Sequence, residues 1–236
     1  MCDEFKNLEE LETRIFRAIR DRFDSAGYVV FDERILEAPA PAALAGAHWW
    51  GGYQLEFELI SRIKYDGLGG DLQAVRRNAQ TIDAHQRRRV RIDISKHEFC
   101  EGKEALDLDG YTIYVYTPTM CVIEKLQAIC QQMPDYVPVP QKTRTPRVRD
   151  FYDAYTVLTR LGIDLALPEN LDLFRSIFAA KEVPLRLLGR IDEFREFHRP
   201  DWDAVRDTIV CDVFEFDFYF DFVVSEVAKL QALWVE

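Results

Sequence analysis

Apolar residues recur at spacings of three and four between residues 8 and 23. Leu8, Leu11, Ile15, Ile19 and Phe23 share a stripe, which predicts an amphipathic helix. Asn7 with Glu10 offers a capping box, and Gly27 a stop. The period then falls to two. Tyr28 to Phe31 has strand composition, and the small, Pro-rich run 37–47 reads as a loop. The clearest alternation follows: Tyr53, Leu55, Phe57 and Leu59 on one face, Gln54, Glu56 and Glu58 on the other. A glycine turn (67–70) leads to a short helix over 71–79. Val90, Ile92 and Ile94 alternate with Arg91, Asp93 and Ser95 in a second strand. After a turn at 107–110, residues 111–116 form a third. Residues 28–116 therefore predict one small sheet with a helix inserted.

From Pro118 the helical period returns, with Pro tolerated in the first turn. Met120, Ile123, Leu126, Gln127 and Cys130 follow one face. Four prolines make 134–146 a loop, and Tyr152, Tyr155 and Leu158 stripe a helix over 150–161. Three more helices are predicted at 169–181, 184–197 and 203–235, the last interrupted. The run 214–222, FEFDFYFDF, fits either period and is taken as helix because SEVAKLQAL continues it helically. The chain thus divides into a sheet domain with an N-terminal helix (1–116) and a helical domain (117–236).

Composition narrows the classes. Aromatics make up 13% of 236 residues, which excludes disorder as the main state. No apolar run is long enough to span a bilayer, and MCDEFKNLEE has no secretory h-region. Five widely spaced cysteines without C-x-x-C read as reduced thiols, so a cytoplasmic protein is expected. The net charge, 30 minus 41 or −11, argues against a uniform nucleic-acid-binding surface. It leaves room for local basic clusters: Arg87, Arg88, Arg89 and Arg91, and Lys142, Arg144, Arg147 and Arg149. Each is equally readable as a solvated loop.

Among candidate chemical groups, Glu56 and Glu58 lie two apart on a strand, about 7 Å between Cα atoms. Like charges so placed suit a divalent cation such as Mg²⁺, with Asp93 as a third carboxylate on another strand. An ordinary half-exposed sheet face is the plainer alternative. Lys125 stands in an apolar and amide helix, E-K-L-Q-A-I, as a phosphate partner or a solvated side chain. In R-V-R-D-F-Y-D (147–153), Asp150 and Asp153 are first-turn acids. Asp150 is also placed to orient a lysine, and the helix N-terminus with Arg147 and Arg149 to hold an anion. The four histidines show no zinc spacing and read as structural or surface. No Walker loop, G-x-G-x-x-G or G-x-S-x-G occurs, and Gly51-Gly52 reads as a tight lead-in to a strand.

The run T-P-T-M-C-V-I-E-K-L-Q-A-I (117–129) followed by R-V-R-D-F-Y-D-A-Y-T-V-L (147–158) resembles the AbiEii/AbiGii-like toxins of the nucleotidyltransferase superfamily. V-R-I-D-I-S and G-G-Y-Q-L-E-F-E-L-I resemble strands of that family's core sheet. The resemblance implies an α+β fold: a nucleotidyltransferase-like mixed sheet with flanking helices and a C-terminal helical domain. It implies Mg²⁺-dependent transfer of a nucleotide from an NTP to an acceptor, in several such toxins a tRNA, with an antitoxin protein opposing the toxin. It maps the family's helical lysine to Lys125, its R-D-x-Y-D acids to Asp150 and Asp153, and its later strand acid to Asp93; with the residue reading above, the expected site is catalytic Lys125, Asp150 and Asp153, nucleotide binding by Lys125, Arg147 and Arg149, and a metal site rebuilt from Glu56, Glu58 and Asp93. The family's G-S or G-G run ahead of D-x-D is not present: Gly51-Gly52 precedes Glu56 too closely, and Glu-Phe-Glu stands in place of D-x-D. The alternative is a catalytically degenerate nucleotidyltransferase fold that binds a nucleotide, an RNA or a protein.

Overall fold

A computed structural model describes residues 8–38, 51–83, 86–136 and 144–234. The chain forms two compact units, Asp3–His97 and Glu98–Glu236. The division falls ahead of the one read from the sequence at 116, because the last two strands belong with the helices.

In the first unit, α1 (Leu8–Ser25) is followed by β1 (Tyr28–Ala38), β2 (Gly52–Ser61), α2 (Arg62–Gly67), α3 (Leu72–Arg77) and β3 (Arg89–Ser95). The strands make one antiparallel sheet in the order β1-β2-β3. Alternation along β2 splits its side chains between two faces. Leu55, Phe57 and Leu59 are buried with Phe16, and Ile15, Ile19 and Phe23 pack against them, so the apolar stripe of α1 meets the apolar face of the sheet. The charged residues of β2 occupy the opposite face. Gly52 is required by close approach: a Cβ there would lie 2.1 Å from the Ile94 carbonyl oxygen of β3. The β1–β2 register shifts between Phe31 and Arg34, and Asp32 in that bulge has φ +50°. The chain reaches α3 through Asp71, whose side chain accepts from the N–H groups of Gln73 and Ala74.

The second unit opens with a separate antiparallel hairpin, β4 (Glu104–Leu108) and β5 (Tyr111–Val115). One sheet over 28–116 is thus corrected to two. The Asp109-Gly110 turn takes φ +52° and +82°, the handedness that matches hairpin twist. Then come α4 (Pro118–Cys130), α5 (Val148–Leu161), α6 (Pro168–Ala180), α7 (Arg195–His198), α8 (Trp202–Arg206) and α9 (Phe216–Ala228). Thr117 caps α4 by accepting the Met120 N–H, and left-handed Gly162 ends α5. Ile123, Leu126, Phe151, Phe174, Phe216 and Phe220 lie in one core, with the Phe151 ring 5.1 Å from Phe220 and 5.5 Å from Phe216. Most of the helix expected over 184–197 is a 3₁₀ helix, Leu185–Phe194. Leu185, Leu188, Ile191 and Phe194 recur every three positions, which is the 3₁₀ period, and pack on the core together with Leu187. The overall class is α+β, with a small sheet unit followed by a largely helical one.

Candidate active site

Two groups of sequence-predicted residues come together, one in each unit. In the helical unit, Asp150 lies in the first turn of α5 and Asp153 one turn later, so both project to one side. Lys125 of α4 meets them there. Its Nζ donates to Asp153 Oδ2 at 2.7 Å and to Asp150 Oδ1 at 3.2 Å. Arg147 Nε donates to the second Asp150 oxygen at 2.6 Å. Arg149 lies 3.8 Å from Asp153 and donates to Thr208 Oγ1. Five residues named from the sequence thus form one network of three cations and two acids. Burial alone would lower the basicity of Lys125, but the hydrogen bond to Asp153 and the charges of Asp150 and Asp153 outweigh it and hold the ammonium above its ordinary pKa.

Two neighbours were not singled out by the sequence. His198 is fully buried. Its Nδ1 accepts the Arg147 backbone N–H at 2.9 Å, and its ring lies 5.1 Å from Phe151. Burial, aided by the Arg147 charge, pulls its pKa down to about 4, so the ring is neutral where it supports the Arg147 turn. Glu124, beside Lys125 in sequence, is pushed up to about 7 by burial and the charge of Glu98, with Lys181 opposing. An acid next to the lysine in an otherwise apolar helix was the available signal.

In the sheet unit, Glu56, Glu58 and Asp93 do share the polar face, since directly opposed residues point the same way. The opposing pairs are Gln54 with Asp93, Glu56 with Arg91, and Glu58 with Arg89. Asp93 therefore sits diagonal to Glu56 and accepts from Gln54 Nε2 at 2.9 Å. Glu56 is 1% exposed, with Arg34 of β1 bonded to one oxygen and Arg91 at 2.9 Å from the other. Arg89 approaches Glu56 at 3.6 Å and Glu58 at 3.1 Å. Burial would raise the Glu56 pKa. The hydrogen bond and charge of Arg34, then the charges of Arg91 and Arg89, outweigh it and leave the carboxyl below its ordinary value.

A Mg²⁺ site needs oxygens free to face one point, with water filling the remaining positions. Both Glu56 oxygens are already paired with guanidinium groups, Oε2 by a hydrogen bond from Arg34 and Oε1 by an ion pair with Arg91, and Asp93 is held by an amide. Among the described residues, no group of three or more His, Cys, Asp or Glu side chains is arranged to hold a metal. The expected triad is thus a same-face set neutralised by arginines, and as arranged it does not fit a divalent cation. Arg34 was not legible as part of it, because strand register is not written in a single sequence.

Residues 7–222 match the family model described as nucleotidyl transferase AbiEii toxin, type IV toxin–antitoxin system. The chain belongs to the AbiEii nucleotidyl transferase toxin family. The match reaches from α1 into α9 and so includes the residues of both units named above. A search of curated proteins gives no match. Among the described residues, no helix is long and apolar enough to cross a membrane.

Proposed function

We propose that this AbiEii-family protein transfers a nucleotide from an NTP to an acceptor, with RNA, and tRNA in particular, as the acceptor class, and that an antitoxin opposes it in the cell. The observation that carries this reading is the family match over residues 7–222, joined to the network that gathers Lys125, Asp150, Asp153, Arg147 and Arg149. In the proposed step an acceptor hydroxyl oxygen attacks the α-phosphorus. The bond from that phosphorus to the bridging oxygen breaks, pyrophosphate leaves, and the hydroxyl proton passes to a carboxylate or to water. Lys125 meets the phosphate charge, Asp150 and Asp153 fix its direction, and Arg147 and Arg149 border the α5 N-terminus where an anion is favoured. No step is assigned to Mg²⁺.

The arginine clamp on Glu56 favours one second reading, a nucleotidyltransferase fold that binds without transferring. A transfer assay separates the two. Each of the four labelled NTPs is incubated with the full chain and total RNA or protein, with and without Mg²⁺. Label in RNA, lost in Lys125→Met, supports transfer. Label in no acceptor, together with saturable nucleotide binding, supports the binding module.

A further inference from the structure

The polar face of the sheet unit carries a cavity of about 540 Å³ lined by Asp32, Glu33, Arg34, Glu58, Arg76, Arg88 and Arg89. That volume lies within the range of small-molecule sites. Four of its seven lining residues are arginines: Arg34 of β1, Arg76 of α3, Arg88 just ahead of β3 and Arg89 at its start. Three of them are anchored by carboxylates. Arg76 grips Asp32 with two bonds, at 2.6 and 2.8 Å, Arg34 holds Glu56, and Arg89 holds Glu58. A guanidinium has five N–H donors in a rigid fork, so one carboxylate fixes it without exhausting it. Arg88 has no carboxylate partner among the described residues and donates only to the Arg76 carbonyl, at 3.1 Å.

Two buried polar atoms of these residues lack a hydrogen-bond partner: Arg89 Nε, a donor, and Glu33 Oε1, an acceptor on a carboxylate whose other oxygen accepts from Arg20 of α1. Unpaired buried groups are costly, and together these ask for a ligand with both acceptor and donor atoms. The bulge that supplies the acids of the wall holds Asp32 in a left-handed conformation uncommon for a non-glycine residue.

We propose that this cavity is a polyphosphate site that works without a divalent cation, its arginines taking the charge neutralisation that acids and Mg²⁺ would share. The ligand is compact. The flanking Asp32, Glu33 and Glu58 would repel an extended polyanion, whereas a short phosphate chain reaches the forks of Arg88 and Arg89, and a protonated oxygen or sugar hydroxyl reaches Glu33. Identifying that phosphate chain with the triphosphate of an NTP rests on the transfer reading; binding itself does not.

Isothermal titration of the full chain with inorganic tripolyphosphate, in EDTA and again in Mg²⁺, tests this. Saturable one-to-one binding is expected in EDTA. Arg88→Ala should weaken it about tenfold, the size of one charge-assisted bond, and Arg88→Glu further. Arg88 is exposed and has no ion pair among the described residues, so both variants should fold, as melting curves will check. Arg160→Ala, an equal loss of charge on α5, should leave binding unchanged. Binding only with Mg²⁺, no binding in either buffer, or equal binding in Arg88→Ala and Arg160→Ala would each overturn the proposal. Binding in EDTA with no transfer in any assay would leave the site standing and remove the transfer reading.

Discussion

Lys125 is a half-buried amine that two carboxylates share, and its substitution acts on folding as well as on chemistry. The sequence alone suggests that removing it costs little stability. The ion pairs change that: Lys125→Met leaves Asp150, itself 6% exposed, with Arg147 alone. A loss of about 1–3 kcal/mol is expected, seen as a lower melting temperature, together with loss of transfer. Lys125→Arg should restore most of the stability but not the transfer, because a planar fork does not reproduce the point charge. Full transfer in Lys125→Met would remove the residue from the site. Two buried groups nearby titrate in opposite senses. His198 has a folded pKa of about 4 against an ordinary 6.5, so the unfolded chain binds the extra proton and stability is lost as pH falls through that window. The full effect is on the order of 3 kcal/mol. Glu124, raised from 4.5 to about 7, binds its proton more tightly when folded, so its contribution is lost as pH rises through that window. The two slopes oppose each other in the parent protein. His198→Asn, which keeps an acceptor for the Arg147 N–H, should expose a fall in stability from pH 5 to 7. Glu124→Gln should expose a rise over the same range. Denaturant titrations at several pH values decide it: parallel profiles for the two variants would refute both assignments.

At the scale of elements, Gly52 offers the sharpest test of the sheet unit. A methyl group there collides with a backbone carbonyl of β3, which cannot rotate away. Gly52→Ala should cost about 1–3 kcal/mol or more and raise hydrogen exchange across the β2–β3 pairing, leaving α4 and α5 protected. Unchanged exchange at Ile94 and Lys96, whose N–H groups face β2, would contradict the register. Elements whose physics is local were legible in advance. The alternation of Tyr53 to Leu59 marks β2, Pro118 marks the start of α4, and the helical continuation SEVAKLQAL decides the ambiguous run 214–222 in favour of α9. The helix predicted over 184–197 is for the most part a 3₁₀ helix, Leu185–Phe194, whose period of three the prediction did not distinguish from 3.6. The site shows the same division. Lys125, Asp150 and Asp153 were found because helical spacing and a charge in an apolar face are local signals. Arg34 and Arg91 on Glu56 were not, since which residues oppose one another across three strands depends on turns and a bulge far from Glu56 in sequence.

For the whole molecule, the charge of −11 limits how the proposed RNA acceptor would dock. Four cations between Lys142 and Arg149 offer a basic loop on paper. The structure commits two of them: Arg147 to Asp150, and Arg149 to Asp153 and Thr208. Lys142 lies outside the described residues, and Arg144 faces the Phe197 ring at 6.0 Å with no carboxylate partner among them. Only Lys142 and Arg144 then remain to displace counterions. Each neutralised phosphate of a single strand contributes about −0.7 to the slope of log K against log salt, so a slope near about −1.4 is expected, against about −2.8 if all four cations engaged. Neutralising Lys142 and Arg144 together should flatten it, since Arg144 has no carboxylate partner among the described residues. Arg147→Ala should leave the slope nearly unchanged and lower stability instead, because it strips the second partner from the buried Asp150. Fluorescence anisotropy of a labelled tRNA across a salt series reads the slope directly. A slope close to the four-cation value would mean that Arg147 and Arg149 release their carboxylates on binding, exposing the second oxygens of Asp150 and Asp153 while Lys125 keeps the first, at the moment the acceptor arrives.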